Sequence, residues 1–144
     1  MKKQLFIVIA VLLLGIIACE GGTGGSVTGS QSSCEFVGNS GTCDGGFKKL
    51  SGTYDTKLSA GYYQEGDPVF IEGTVAVETG RVKITFTAND GTVTTANAAP
   101  GSPATLSGRA AVESFIDDLF IPITFEAIDK EASGISYSVT IREP

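Results

Sequence analysis

From Phe47 onward the chain alternates apolar and polar residues with a period of two, and this constrains its fold more than any other feature. Successive side chains of a β-strand point to opposite faces, so the alternation marks strands with one wet and one buried side. In residues 69–79, Ile71, Gly73, Val75 and Val77 share a face opposite Glu72, Thr74, Ala76 and Glu78. Residues 81–88 set Val82, Ile84 and Phe86 against Arg81, Lys83, Thr85 and Thr87. Residues 135–141 set Ile135, Tyr137, Val139 and Ile141 against Ser136, Ser138 and Thr140. Weaker versions of the pattern occupy 50–58, 92–98, 104–112 and 119–128, with turn signals such as Asp90-Gly91 between them. Pro122 inside the last of these predicts a sheet edge or a bulge. Residues 113–118 read as a loop or a single helical turn. About seven strands on short connections, with no helix, predict an all-β domain over 47–144, built as an antiparallel β-sandwich. Val75, Ile84, Phe86, Ile123, Phe125 and Val139 are its expected core.

Residues 20–46 differ in kind. Gly and Ser dominate and apolar residues are few, which predicts a flexible tether and not a packed element. The part from 20 to 33 would span roughly 20 Å root-mean-square. Cys34 and Cys43 follow it, at the expected edge of the domain.

The N-terminus carries a third signature. Lys2 and Lys3 precede an apolar run from Leu5 to Ile17 that ends in Ile16-Ile17-Ala18-Cys19. The run, about 13 residues, is shorter than the ~20 a membrane span requires. Its order and spacing resemble the signal peptide and lipobox of bacterial lipoproteins. That resemblance implies a signal peptide over 1–18, a diacylglycerol on the thiol of Cys19, and a mature protein whose partner is a membrane. It divides the rest into a tether over 19–46 and the sandwich over 47–144. Glu20, where some bacteria use Asp as an inner-membrane retention signal, favours the outer membrane or the cell surface. With Cys19 acylated, Cys34 and Cys43 become the natural disulfide pair in an oxidising compartment, worth ~2–3 kcal/mol for so short a loop. In architecture the sandwich loosely resembles the jelly-roll and immunoglobulin-like domains of bacterial surface proteins. It lacks the Cys…Trp…Cys spacing of true immunoglobulin domains.

Composition narrows the chemistry. The chain has 10 basic and 16 acidic residues; without Lys2 and Lys3 the balance is 8 against 16, a net charge of −8. Such a surface repels nucleic acid and anionic headgroups, so attachment would come from lipid. There is no His, and no Cys beyond residue 43, so Ser-His and Cys-His nucleophiles are not available in the domain. No metal or cofactor is expected, since two thiols nine positions apart lack the Cys-x2-Cys spacing of a zinc site. A glycoside hydrolase needs only two carboxylates about 5–10 Å apart, but Glu72, Glu78 and Glu126 fall on expected solvent faces. Asp117-Asp118 and Asp129-Lys130-Glu131 flank one strand and could contact calcium, yet no D-x-D-x-D-G run is present. Tyr62 and Tyr63 sit in a Gly-flanked loop. Exposed, their rings could stack on a sugar; buried, they would pack the sandwich edge. The sequence therefore predicts a lipid-anchored envelope protein with a non-catalytic binding or structural domain and no catalytic residues. The alternative is a carbohydrate-binding surface lipoprotein using Tyr62 and Tyr63, with a glycoside hydrolase as a weaker third reading. Its partner would be another envelope protein or a glycan.

Overall fold

The computed structural model describes residues 24–144. The signal-peptide and Cys19 assignments lie outside the described residues. Within them the chain forms strands β1 (Ser26–Thr28), β2 (Gln31–Val37), β3 (Ser40–Ser51), β4 (Thr53–Ser59), β5 (Pro68–Ala76) and β6 (Val82–Thr87). It continues with β7 (Val93–Ala98), β8 (Ala104–Ala111), β9 (Glu113–Phe115), β10 (Asp118–Ala127) and β11 (Ala132–Arg142). Every ladder between them is antiparallel. One sheet runs β1-β3-β11-β5-β8 with β2 also on β3; the other runs β4-β10-β6-β7 with β9 also on β10. The two pack face to face as a β-sandwich.

The core follows the alternation. Val75, Ile84, Phe86, Ile123, Phe125 and Val139 are all buried, and each strand sends one face inward. Aromatic rings bridge the sheets at one point. Phe47 meets Tyr54 and Phe125 edge to face, at 5.4 and 5.1 Å between centroids, and Phe125 meets Tyr137 at 5.5 Å. Edge-to-face geometry suits the quadrupoles of the rings.

Four expectations need correction. First, the segment read as a tether is folded from at least Ser26: β1, β2 and most of β3 lie within it. The register of β1 and β2 on β3 is continuous, from Ser26 opposite Ser51 to Val37 opposite Ser40. The small residues are there because aromatic rings cover them. Phe36 lies over Gly41 and Gly61, and Tyr137 lies over Gly45, where a Cβ would collide with the ring. Second, the strand expected over 50–58 is two strands in different sheets. Gly52, at φ 67°, turns the chain from β3 into β4, a conformation that strains any residue with a Cβ. Third, Pro122 is in an interior strand. It pairs with Lys57 of β4 on one side, but on the other it falls between the end of the β9 ladder at Phe120 and the start of the β6 ladder at Thr124. No ladder bond is demanded in that gap. Fourth, residues 113–118 are neither a plain loop nor a helical turn, but the short β9 and its two-residue turn into β10.

Candidate functional site

A broad concavity lies where the β1–β2, β3 and β11 strands bend together. Gly29 at φ 62° and Gly134 at φ 61° mark the bend. Lys48 sits between them in register, opposite Gly134 and beside Gly29. Glycine at these points lets neighbouring side chains close over the backbone: Lys48 covers Gly29, and the Glu78 carboxylate covers Gly134. The resulting open groove encloses about 970 Å³. Its floor includes Gly45 and Gly46, and its walls carry Gln31, Ser33, Asp44, Lys48, Glu78 and Ser133.

The walls mix hydrogen-bond donors and acceptors. One carboxamide, four hydroxyls, two carboxylates and the ammonium groups of Lys48 and Lys49 line the groove. Lys49 is held by Glu131 at 3.2 Å. Among the described residues, no side-chain hydrogen bond or ion pair with the rest of the protein engages Gln31, Asp44, Lys48 or Glu78. With Lys49 compensated by Glu131, Lys48 faces two acids, so the groove is close to neutral and does not favour an anionic ligand. Asp44 stands opposite Ser138, whereas Glu78 covers Gly134, four residues along β11. That is a displacement of about 13 Å at strand spacing, longer than the ~5–10 Å of paired glycosidase carboxylates.

Residues singled out from sequence are placed as follows. Cys34 and Cys43 form a disulfide between paired positions of β2 and β3. Cys43 is fully buried, so the bond lies inside the sheet and not in a loop at the domain's edge. Tyr62 and Tyr63 do not form a shared platform. Tyr62 is 72 % exposed, while Tyr63 is only 8 % exposed and donates its hydroxyl to the Asn39 carbonyl. Burial, then the nearby Glu143 and Asp67, raise the Tyr63 phenol above its usual pKa. The loop must pack one ring to hold its course against the β2–β3 turn, and that leaves the other outside. The acidic pairs considered for calcium sit at opposite ends of β10, so they do not converge. Asp129 is engaged by Arg81 at 2.7 Å, whose hydrogen bonds hold its carboxyl below the usual carboxylate range.

The groove was missed because most of it falls in the segment read as a tether. One signal could have found it. Gly38-Asn39 between two alternating runs is a two-residue hairpin signature, and Cys34-x-Phe36 followed by Cys43-x3-Phe47 keeps the period of two across it.

No family model matches the chain. No curated protein matches it either. Among solved structures, similarity extends to an oxalate oxidase in complex with the substrate analogue glycolate, at 12% identity and a TM-score of 0.43. That match covers 88% of this chain, which spans 57% of the oxidase chain. A carbohydrate-binding module from Cellvibrio mixtus lichenase 5A in complex with cellotriose matches at 15% identity and a TM-score of 0.36, over 83% of this chain and 90% of that one. A family 11 carbohydrate-binding module of a cellulosomal cellulase of Clostridium thermocellum matches at 10% identity and a TM-score of 0.35, over 87% and 91%.

Proposed function

We propose that this chain is a non-catalytic, glycan-binding lipoprotein of the bacterial envelope, held to its membrane through Cys19, with the groove at the bend of the β1–β2, β3 and β11 strands as its ligand site. The observation that carries the reading is the groove's lining. A ligand that satisfies alternating donors and acceptors without net charge, and that lies against a glycine floor, is a neutral polyhydroxylated chain. Among the described residues no exposed ring lines the groove, so recognition rests on hydrogen bonds to sugar hydroxyls. Such bonds contribute about 0.5–1.5 kcal/mol each against water, which makes affinity modest and dependent on several of them at once. The separation of Asp44 and Glu78 supports binding without hydrolysis. The lipobox resemblance supports the anchor.

Affinity electrophoresis against insoluble and soluble polysaccharides tests the site. Wild type should be retained on at least one neutral glycan. Gln31→Ala/Asp44→Ala should lose about tenfold in affinity, as 1.4 kcal/mol dictates, with an unchanged Tm because both side chains are exposed. No retention of wild type on any polysaccharide overturns the glycan reading. Intact-mass analysis tests the anchor: a mature form beginning at Cys19 without acyl mass would sink it.

A further inference from the structure

One end of the sandwich carries nearly all of its exposed large apolar side chains. Among the described residues these are Val37, Tyr62, Val93, Phe115, Ile116 and Ile128. The first five lie at the end where the β2–β3 turn, the 60–67 loop, the β6–β7 turn and the β9–β10 turn meet; Ile128 alone follows the opposite end of β10. Hydrogen bonds tie these loops into one surface. Ala60 donates to Leu119, Gly66 to Val112 and Val112 to Asp67. Asn89 donates to the Gly66 carbonyl, and Tyr63 to that of Asn39.

The turn that carries Ile116 shows that the exposure is not incidental. Both the β2–β3 and β9–β10 hairpins close in two residues, Gly38-Asn39 and Ile116-Asp117. In each the first residue has positive φ, 61° at Gly38 and 59° at Ile116. A two-residue hairpin turn with that geometry calls for glycine at its first position. A β-branched residue there is a genuine outlier and is strained. Ile116 is 85 % exposed, so no packing offsets the strain. Beside it Phe115 is 60 % exposed, its ring fixed by Lys57 at 5.1 Å. An uncompensated strained apolar tip points to a surface that is covered when the protein works.

The charges around it select the occupant. The loops at this end, 37–40, 60–67, 88–92, 112–118 and 143–144, carry Glu65, Asp67, Asp90, Glu113, Asp117 and Asp118, together with Glu143, and no Lys or Arg; the cations at their margin, Lys57 over Phe115, Arg109 near Asp90 and Arg142 on the Glu143 carbonyl, leave the surface acidic on balance. Two copies meeting through it would bring like charges together, and an anionic membrane would be repelled in the same way. Gly24, by contrast, bridges to Thr53 next to Gly52, at the opposite end, so the first described residues lie far from this surface. We propose that the apolar end, centred on Phe115 and Ile116, is a docking surface for a partner protein that presents an apolar patch ringed by Lys and Arg. It is separate from the groove and does not depend on the glycan reading.

Site-specific photo-crosslinking on the full-length chain in its own cells tests this. Benzoylphenylalanine replaces exposed Tyr62 at the apolar end, or Ile128 at the other end as control. The expected result is an adduct with one protein from position 62 and none from 128, with the cross-linked partner peptide rich in Lys or Arg. Ile116→Gly in the same chain should cut adduct yield by about tenfold, while Tm stays at or above the wild-type value because the turn is relieved. Asp117→Asn/Asp118→Asn should weaken the adduct and reduce its salt dependence. No adduct at 62, an adduct with lipid or with a second copy, equal adducts from both positions, or an Ile116→Gly variant that cross-links undiminished would each overturn the proposal. Loss of glycan retention by groove variants leaves this adduct unchanged, so the two readings fail separately.

Discussion

Tyr137 is the residue at which this core is least settled. Its ring packs well, tilted against Phe47 and Phe125 at 6.1 and 5.5 Å, but its Oη is buried and reaches no hydrogen-bond partner. Burial raises the phenol above its usual pKa; the hydroxyls of Ser32 and Thr56 stand near enough to oppose this, without bonding geometry. An orphaned buried hydroxyl costs about 1–3 kcal/mol. Tyr137→Phe, which keeps the ring over Gly45, should therefore raise stability by about 1 kcal/mol in urea melts; a loss of that size would show that the hydroxyl is bonded. The same phenol sets an alkaline limit. Tyr63 and Tyr137 are both raised above the unfolded value of 10.0. Above pH ~10 the unfolded chain then binds fewer protons than the folded one, and stability falls as pH rises. It is fully present below that value and lost toward the folded pKa values. Tyr137→Phe should make this alkaline limb shallower, and an unchanged limb would assign it elsewhere.

At the scale of elements, the β2–β3 hairpin is where sequence and structure part. Strands with Val, Ile and Phe at alternate positions, such as β5, β6 and β11, are legible because burial and period coincide in the same residues. In β2 and in β3 up to residue 46 the inward positions are Cys34, Phe36, Gly41, Cys43 and Gly45. Composition alone reads them as linker, because the bulk over each glycine comes from a ring on a neighbouring strand. Phe36 covers Gly41, and Tyr137 covers Gly45 from a strand about ninety residues away in sequence. The groove shared this fate, since its floor is glycine and its walls are ordinary polar residues. The disulfide now has a different weight from that of a staple on a loose edge. It locks β2 to β3 and fills the core at Cys43. Cys34→Ala/Cys43→Ala should cost about 2–3 kcal/mol from loop closure, plus the small cavity left at Cys43. Thiol titration of the unreduced protein should find no free thiol from this pair, and a variant as stable as wild type would show that the hairpin needs no lock.

For the whole molecule, the decisive fact is the position of β3. It lies between the β1–β2 strand and β11, pairs with β11 from Gly41 to Leu50, and supplies Phe47, the ring that touches both sheets. A domain boundary at residue 47, as composition suggests, cuts this strand in half. A fragment of 47–144 would keep Phe47 and Leu50 but lose the ladder from Gly41 to Gly46, the disulfide, and Phe36 over Gly41 and Gly61. It would also leave the N-terminal half of β3 missing beside β11, whose inward Tyr137, Val139 and Ile141 are buried against it. Stability of a domain this size is typically 5–15 kcal/mol, and the losses from an opened core strand reach that range. The fragment 47–144 should therefore show no cooperative thermal transition and should aggregate through the edge left open on β11. A fragment of 24–144 should melt in a single transition close to that of the full-length protein, because all the sheet strands described here lie within it. Cooperative unfolding of 47–144 near the wild-type Tm would place the boundary back at the composition change, and would make the hairpin an ornament on a sandwich that closes without it.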